Sequence, residues 1–323
     1  IEISNTRQFN EPYYLSLHGN ISHGPILLTE PAFSFGLASA DLVLDAVRFE
    51  SKSANIVMDL LTTSFLVGFD QSVSLNLMVP VIDILNIDSK LASVINELNV
   101  QLEIQEDLSV LAYIKADKVS FHNNLSDIKL NLIAPSVSAT TNIFGQTQTA
   151  SRISAKLPLV DASDPLAFNA SDIDFEWRSD PSSLGPSLTD FSQDIQISKI
   201  ESELPLESIL WKSEIKGIKQ ELITSYNKML QGIQYAAVTD PILKISELTK
   251  IGNETGLLLA QNEIKLKNIL EIGSYQGIHK LEFRILWKGL TSIQSIDDFK
   301  FEDGLNALNV EIDLLLDQES VSI

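Results

Sequence analysis

The sequence contains no cysteine among its 323 residues. This absence excludes a disulfide framework, a zinc site built on thiolates and a cysteine nucleophile. The sequence also lacks any run of about 18 consecutive apolar residues, so no transmembrane segment is predicted within it. A signal or membrane anchor is expected only before Ile1, outside this sequence.

Basic residues are scarce as well. The chain has 23 Lys and Arg residues against 43 Asp and Glu residues, which gives a formal net charge of −20. A field of that sign repels nucleic-acid phosphates and anionic lipid headgroups. The composition therefore predicts no nucleic-acid partner and no electrostatic docking on a membrane. The hydrophobic content of 44% excludes general disorder.

Motifs that carry catalysis are also missing. There is no Gly-rich phosphate loop, no G-x-S-x-G elbow and no H-E-x-x-H pair. The carboxylates of Asp172, Asp174 and Glu176 share one strand face, which is interpreted as a solvated face rather than an acid–base pair or calcium site. The four histidines lack the ligand spacings of a metal site; they are His18, His23, His122 and His279. We predict a protein that is not an enzyme and has no cofactor and no metal.

Apolar residues alternate with polar ones over most of the chain. The clearest example is Leu98, Val100, Leu102 and Ile104, which are separated only by polar residues. The same period of two recurs in seven further segments: 15–21, 73–79, 128–132, 153–159, 173–177, 281–287 and 308–316. This pattern is typical of antiparallel strands with one wet face. Because strands and helices do not alternate along the chain, a doubly wound fold is excluded.

A single long helix is predicted over Leu206–Val238. Pro205 suits its first turn, and the segment before Pro241 ends it. Six apolar residues fall three or four positions apart and define the predicted packing face: Ile215, Ile218, Leu222, Tyr226, Met229 and Ile233. Asp88–Glu97 is read as a short helix in preference to a strand, and 252–254 is read as a turn.

The predicted fold is therefore mainly β (α+β). It is an extended, curled antiparallel sheet of many strands with one long amphipathic helix. Residues 1–204 form the first antiparallel region. Residues 205–323 contain the helix and further strands that continue that region.

The turn His23-Gly24-Pro25 ends the first strand. Its glycine allows an unusual backbone and its proline fixes the exit, so a structural role is predicted. Residues 19–26, with Leu210-Trp211 and Tyr226-Asn227 in the helical segment, resemble the DUF945 family of YdgA-like bacterial proteins. The resemblance implies a Gram-negative cell-envelope protein without established enzymatic activity. It also implies a periplasmic location and a possible inner-membrane anchor upstream of this sequence.

The apolar strand faces lead to two alternatives for function. A helix of about thirty residues is only about 45 Å long and does not cover a dozen strands. The sheet must therefore curl, pack in two layers or leave a groove. We predict a scaffold or assembly component that binds other envelope proteins through its sheet. The alternative is a protein that binds or carries a lipid or another hydrophobic ligand in a β-groove.

Overall fold

A computed structural model describes residues 16–24, 27–28, 33–34, 36–142, 150–163, 167–203, 205–236 and 241–317. Within these ranges the protein is mainly β. Eighteen strands belong to one antiparallel sheet, and β2 (Leu27–Leu28) pairs with β3 (Phe33–Ser34) in a separate small sheet. The prediction of a mainly β, antiparallel protein is confirmed.

The remaining elements follow in chain order. The strands before the helices are β1 (Leu17–His23), β4 (Ala38–Leu44), β5 (Val47–Glu50), β6 (Ala54–Met58), β7 (Leu61–Val67), β8 (Val73–Asn86), β9 (Leu91–Ile104), β10 (Ser109–Lys115), β11 (Lys118–Asn123), β12 (Ile128–Ile133), β13 (Ser136–Asn142), β14 (Ser151–Ser163), β15 (Phe168–Pro181), β16 (Leu188–Ser202) and β17 (Leu206–Lys219). The later elements are α1 (Gln220–Ala236), α2 (Pro241–Gln261), β18 (Ile264–Ser274), β19 (Gly277–Trp287), a 3₁₀ turn (Ile296–Asp298), α3 (Phe301–Ala307) and β20 (Leu308–Leu315).

The chain divides into two compact units. Unit 1 comprises Ile1–Gln146, Ser151–Glu176 and Gln196–Ser208. Unit 2 comprises Thr147–Ala150, Trp177–Ile195 and Ile209–Ile323. Strands β15, β16 and β17 each contribute residues to both units.

Unit 1 is organised around the long strands β8 and β9, which pair with each other along their whole length. The first half of β8 also pairs with β7, and its second half pairs with β6. Strand β9 behaves in the same way, because its first half pairs with β11 and its second half with β10. Unit 1 therefore contains two sets of strands that share β8, β9 and β14. The first set runs β1-β4-β7-β8-β9-β10-β13-β14 and the second runs β5-β6-β8-β9-β11-β12-β14.

The prediction of a short helix over Asp88–Glu97 is wrong, because β9 begins at Leu91. Leu91, Val94, Ile95 and Leu98 have helical spacing, but the segment pairs with β8 and β11. Cross-strand pairing and burial decide between the two structures here, as they do wherever local preference is weak.

The prediction of one long helix over Leu206–Val238 is also wrong. Its first part, Leu206–Lys219, is strand β17, and α1 begins only at Gln220. The charged residues Lys212, Glu214 and Lys216 alternate at the period of a strand, and Lys216 Nζ lies 3.1 Å from Glu214 Oε2. β-Branched residues and Gly217 add to the preference for a strand over a helix.

A second helix, α2, follows where the sequence predicted an end. Pro241 opens α2, in the first-turn position that proline tolerates. The predicted turn at 252–254 lies inside this helix. Within the described residues, no helix combines the length and apolar character needed to cross a bilayer.

The end of α2 is anchored by hydrogen bonds within unit 2. Asn262 is only 1% exposed, and its Nδ2 donates to the carbonyl oxygen of Gly217 at 3.1 Å. The indole Nε1 of Trp287 donates to the carbonyl oxygen of Ala260 at 3.1 Å, and the Leu290 N–H donates to the same oxygen at 2.8 Å. The two bonds to Ala260 satisfy a carbonyl group that the helix end leaves without an intrahelical partner.

Candidate functional site

The main candidate site is an apolar face in unit 1. In an antiparallel sheet, directly opposed residues point to the same side. Following the registers across eight strands gives one row of apolar residues: Ile21, Ala40, Phe65, Leu75, Leu102, Ala112, Ala139 and Ile153. The adjacent row on the same side is Gly19, Leu42, Thr63, Leu77, Val100, Ile114, Val137 and Ala155. We call these two rows the apolar face.

The apolar face is partly open to solvent. Ile21 is 75% exposed, Ile114 is 44% exposed and Phe65 is 38% exposed. Val79, which continues the same side of β8, is instead only 1% exposed. Most other members of the two rows are half-buried. The protein therefore presents large apolar side chains to solvent at several positions across the width of an eight-stranded set.

The opposite side of the same strands is polar. Ser138 and Ser154 share a hydrogen bond of 2.7 Å between their hydroxyl oxygens across β13 and β14. Tyr113 lies opposite Gln101 and Ser138 on this side, directly next to Ile114 in the chain. Each strand thus separates an apolar side from a hydrogen-bonding side, as its alternation predicts.

A transverse line of kinks interrupts these strands. When the registers are extended through the unpaired positions, six residues fall opposite one another: Leu60, Pro80, Glu97, Asp117, Ala134 and Pro158. Glu97 has φ of 52° and Ala134 has φ of 48°, both in the left-handed region. We call this set the kink line. A left-handed residue interrupts the regular alternation of a strand.

The apolar positions change parity at the kink line. In β8 the alternating apolar set is Val73, Leu75, Leu77 and Val79 before the line, and Ile82 and Ile84 after it. The exposed positions of β8 before the line are even-numbered, whereas Asp83 is exposed just after it and Asn86 at the end of the strand. This change is expected if the kink keeps the apolar residues on one side of the sheet. Beyond the line, a further apolar row crosses seven strands: Val47, Met58, Ile82, Ile95, Val119, Leu132 and Val160.

The residues proposed for the structural turn lie at the end of β1. His23 is exposed, and Gly24 has φ of 119° with its N–H donating to the carbonyl oxygen of Leu37 at 3.1 Å. This backbone conformation is one that glycine tolerates and other residues rarely adopt. Pro25 lies outside the described residues.

The six residues of the predicted helix face divide between two elements. Ile215 and Ile218 are half-buried in β17, whereas the other four lie in α1. Leu222 is 7% exposed and Tyr226 is 48% exposed, so these two residues do not share a buried stripe. Met229 is half-buried, and the side chain of Ile233 lies outside the described side chains.

The polar clusters noted in the sequence form pairs. Asp174 lies 4.0 Å from Lys156, and Glu176 forms an ion pair with Arg152. His122 Nε2 lies 3.0 Å from Asp127 Oδ1. In the ranges that the structure describes, no group of three His, Asp or Glu side chains is arranged to hold a metal ion.

A charged cluster occupies the polar side of β18–β20 in unit 2. Glu282, on the central strand β19, accepts a hydrogen bond from Arg284 at 2.5 Å and lies 3.4 Å from Lys267 and 3.6 Å from Lys280. Burial alone would raise the pKa of Glu282, but hydrogen bonds from Arg284 and Lys267 outweigh it and lower this pKa. The cluster is therefore built to hold Glu282 ionised.

We expect Glu282 to contribute to acid sensitivity. A carboxyl whose pKa is lower in the folded state stabilises the protein above its unfolded pKa of about 4.3, and this contribution is lost as pH falls through the folded pKa. Thermal midpoints measured from pH 7 down to about pH 3 should show wild type and Glu282→Gln converging in acid. Two parallel curves would contradict this role.

The apolar side of β18–β20 contains a second exposed surface. Leu308, Val310, Ile312 and Leu314 lie opposite Trp287, Ile285, Phe283 and Leu281 on β19. All eight residues of β20 are exposed, and Ile312 is 67% exposed. This last strand therefore presents both of its sides to solvent.

The sequence predicts only part of these surfaces. Alternation identifies the apolar residues of β8 and β9, whereas Ile114 on β10 and Phe65 on β7 are not among the predicted positions. The alternation of Val110, Ala112 and Ile114 with their neighbours is typical of a strand and could have identified β10. No family model, no curated protein and no solved structure matches this chain.

Proposed function

We propose that the protein is a non-enzymatic binding protein that holds the acyl chains of a lipid on the apolar face. The observation that carries this proposal is the pair of apolar rows that cross eight strands while retaining exposed large side chains. Exposed apolar side chains grouped on one side of a sheet are a feature of binding sites for hydrophobic partners.

The dimensions and chemistry of the face suit an acyl chain. Eight strands spaced about 4.8 Å apart make each row about 34 Å long. A lipid leaflet supplies about half of a hydrocarbon core of about 30 Å, so one chain lying along a row has room to spare. Thr63 is the one residue with a polar side chain in the two rows. Acyl chains need no hydrogen-bond partner, and each Å² of apolar surface they cover contributes about 25 cal/mol.

The test compares two neighbours on β10 that face opposite sides. Ile114→Asp places a carboxylate on the apolar face, whereas Tyr113→Asp places it on the polar side at similar exposure, 44% against 38%. A carboxylate against hydrocarbon costs about 2.5–3.5 kcal/mol, and about 1.4 kcal/mol is a tenfold change. We expect Ile114→Asp to reduce copurifying lipid at least tenfold and Tyr113→Asp to leave it near wild type.

Lipid content is measured by native mass spectrometry and organic extraction of the purified proteins. Circular dichroism confirms that both variants remain folded. Two results would refute acyl-chain binding on this face. One is wild-type protein that carries no lipid after purification from a bacterial envelope, and the other is an equal lipid content in the two variants.

A second proposed function is that of a scaffold or assembly component that binds other cell-envelope proteins. The observation that favours it is β20, which is exposed along its whole length. The periplasmic setting of both proposals derives from the resemblance of residues 19–26 to the DUF945 family. Cell fractionation with an antibody to the protein tests that setting, and recovery in the cytoplasmic fraction would refute it.

A further inference from the structure

We propose that β20 accepts an extended strand from a partner protein in which apolar residues alternate with lysine or arginine. This inference rests on the second proposed function, the assembly role, and names the chemistry of the partner. In the described part of the chain, the register of β20 is set by β19 alone.

Strand β20 lacks most of the usual protection of an edge strand, since its two carboxylates are the one device present. Natural edge strands are blunted by charged side chains (lysine above all), proline, bulges or short length. The sequence of β20, LNVEIDLL, contains neither lysine nor proline, and the strand is eight residues long. None of its residues has a positive φ, so no left-handed kink turns the edge away. A strand of this kind is a template for strand addition.

The side chains of β20 indicate which strand would fit. Val310, Ile312 and Leu314 form its apolar side, and Glu311 and Asp313 form its polar side. Arg284 of β19 reaches Glu311 Oε2 at 3.4 Å and Asp313 Oδ2 at 3.3 Å, but it also serves Glu282. Within the described residues, no other cation lies within 4.0 Å of these two carboxylates. Glu311 and Asp313 keep 58% and 70% of their side chains exposed.

The same charges disfavour a second copy of this chain as the partner. In an antiparallel β20–β20 pair centred on Glu311, that residue meets its own copy, and in a pair centred on Ile312 it meets Asp313. Like charges placed directly opposite in a sheet are destabilising. A partner strand with lysine or arginine at the matching positions instead places a cation beside Glu311 and beside Asp313. In the described structure these two carboxylates share Arg284 with each other and with Glu282.

The test uses three labelled eight-residue peptides with the full-length protein: alternating valine and lysine, alternating valine and glutamate, and the valine–lysine composition with a central proline. Binding is measured by fluorescence anisotropy, and hydrogen exchange reports protection of the β20 amides. We expect the valine–lysine peptide to bind at least tenfold more tightly than the other two and to protect amides at 308–315. The double variant E311Q/D313N should lose most of this preference, and its circular dichroism spectrum should match wild type.

The outcomes separate the inference from the assembly role. Equal or tighter binding of the valine–glutamate peptide, with β20 amides protected, would overturn the proposed partner chemistry while supporting strand addition. Absence of binding and protection with all three peptides would overturn strand addition at β20, while capture of envelope proteins through the apolar side would remain to support assembly. Binding of the valine–lysine peptide without protection of β20 would also overturn the inference, since charge attraction alone does not protect backbone amides.

Discussion

Replacing Leu222 by alanine is expected to lower the free energy of unfolding by about 2–5 kcal/mol. Leu222 lies in the first turn of α1 and is 7% exposed, which makes it one of the few deeply buried large side chains among those described in unit 2. Removing its buried methyl groups loses their transfer free energy and leaves a cavity that the surroundings fill only in part.

Leu230 in the same helix provides the control. It is 40% exposed, so Leu230→Ala should change stability by less than about 0.5 kcal/mol. Urea unfolding followed by circular dichroism at 222 nm measures both variants against wild type. If the two substitutions cost the same, Leu222 is not a packing residue and the α1 surface is open to a partner.

Gly289→Ala is expected to destabilise the protein by about 2–5 kcal/mol. Gly289 has φ of 76°, and a Cβ added there would lie 2.6 Å from the carbonyl oxygen of Gln261. The left-handed conformation alone costs an alanine about 1–2 kcal/mol, and overpacking adds about 1–3 kcal/mol. Because the contact is with backbone at the end of α2, it cannot be relieved by turning a flexible side chain.

Gly252→Ala is the matched control with the opposite sign. Gly252 lies inside α2 with nothing within 4 Å of the position its Cβ would take. Alanine in a helix interior is more stable than glycine by about 0.5–1 kcal/mol, so this variant should unfold at higher denaturant. Loss of stability in Gly252→Ala would show that α2 is not helical at this point in solution.

The strands are the part of this fold that the sequence predicts. Alternation identifies one side of a strand from sequence alone, and the apolar sets read in β8 and β9 do lie directly opposite each other, for example Leu75 with Leu102. The pairing of the strands could not be predicted from the sequence. Alternation gives the face of a strand but not its neighbour, and β8 and β9 each have different neighbours in their two halves.

The helix predictions were wrong where the spacing of apolar residues fits both a helix and a strand. Ile215, Ile218 and Leu222 satisfy helical spacing, yet the first two belong to β17 and the third to α1. At such a junction the spacing continues through the boundary, so only the neighbouring strand decides where the helix begins. Pro241 was ambiguous for a related reason, because proline both follows helices and opens them.

The kink line could not be predicted from the sequence. Pro80 and Pro158 are visible in the sequence, but proline is common at strand edges and in turns. The left-handed conformations of Glu97 and Ala134 have no sequence signal, because neither residue type favours that region. The site therefore depends on backbone geometry that only the paired strands impose.

The kink line also restricts how this chain can gain or lose residues in evolution. The registers on its two sides are continuous, so each strand passes through it with the same number of residues as its neighbours. One extra residue between Pro80 and Ile82 would turn Ile82 and Ile84 to the polar side, because the side-chain period of a strand is two. Descendants of this sequence should therefore tolerate insertions in hairpin ends such as 69–71 and 106–108, and keep the spacing between Val79 and Ile82 fixed.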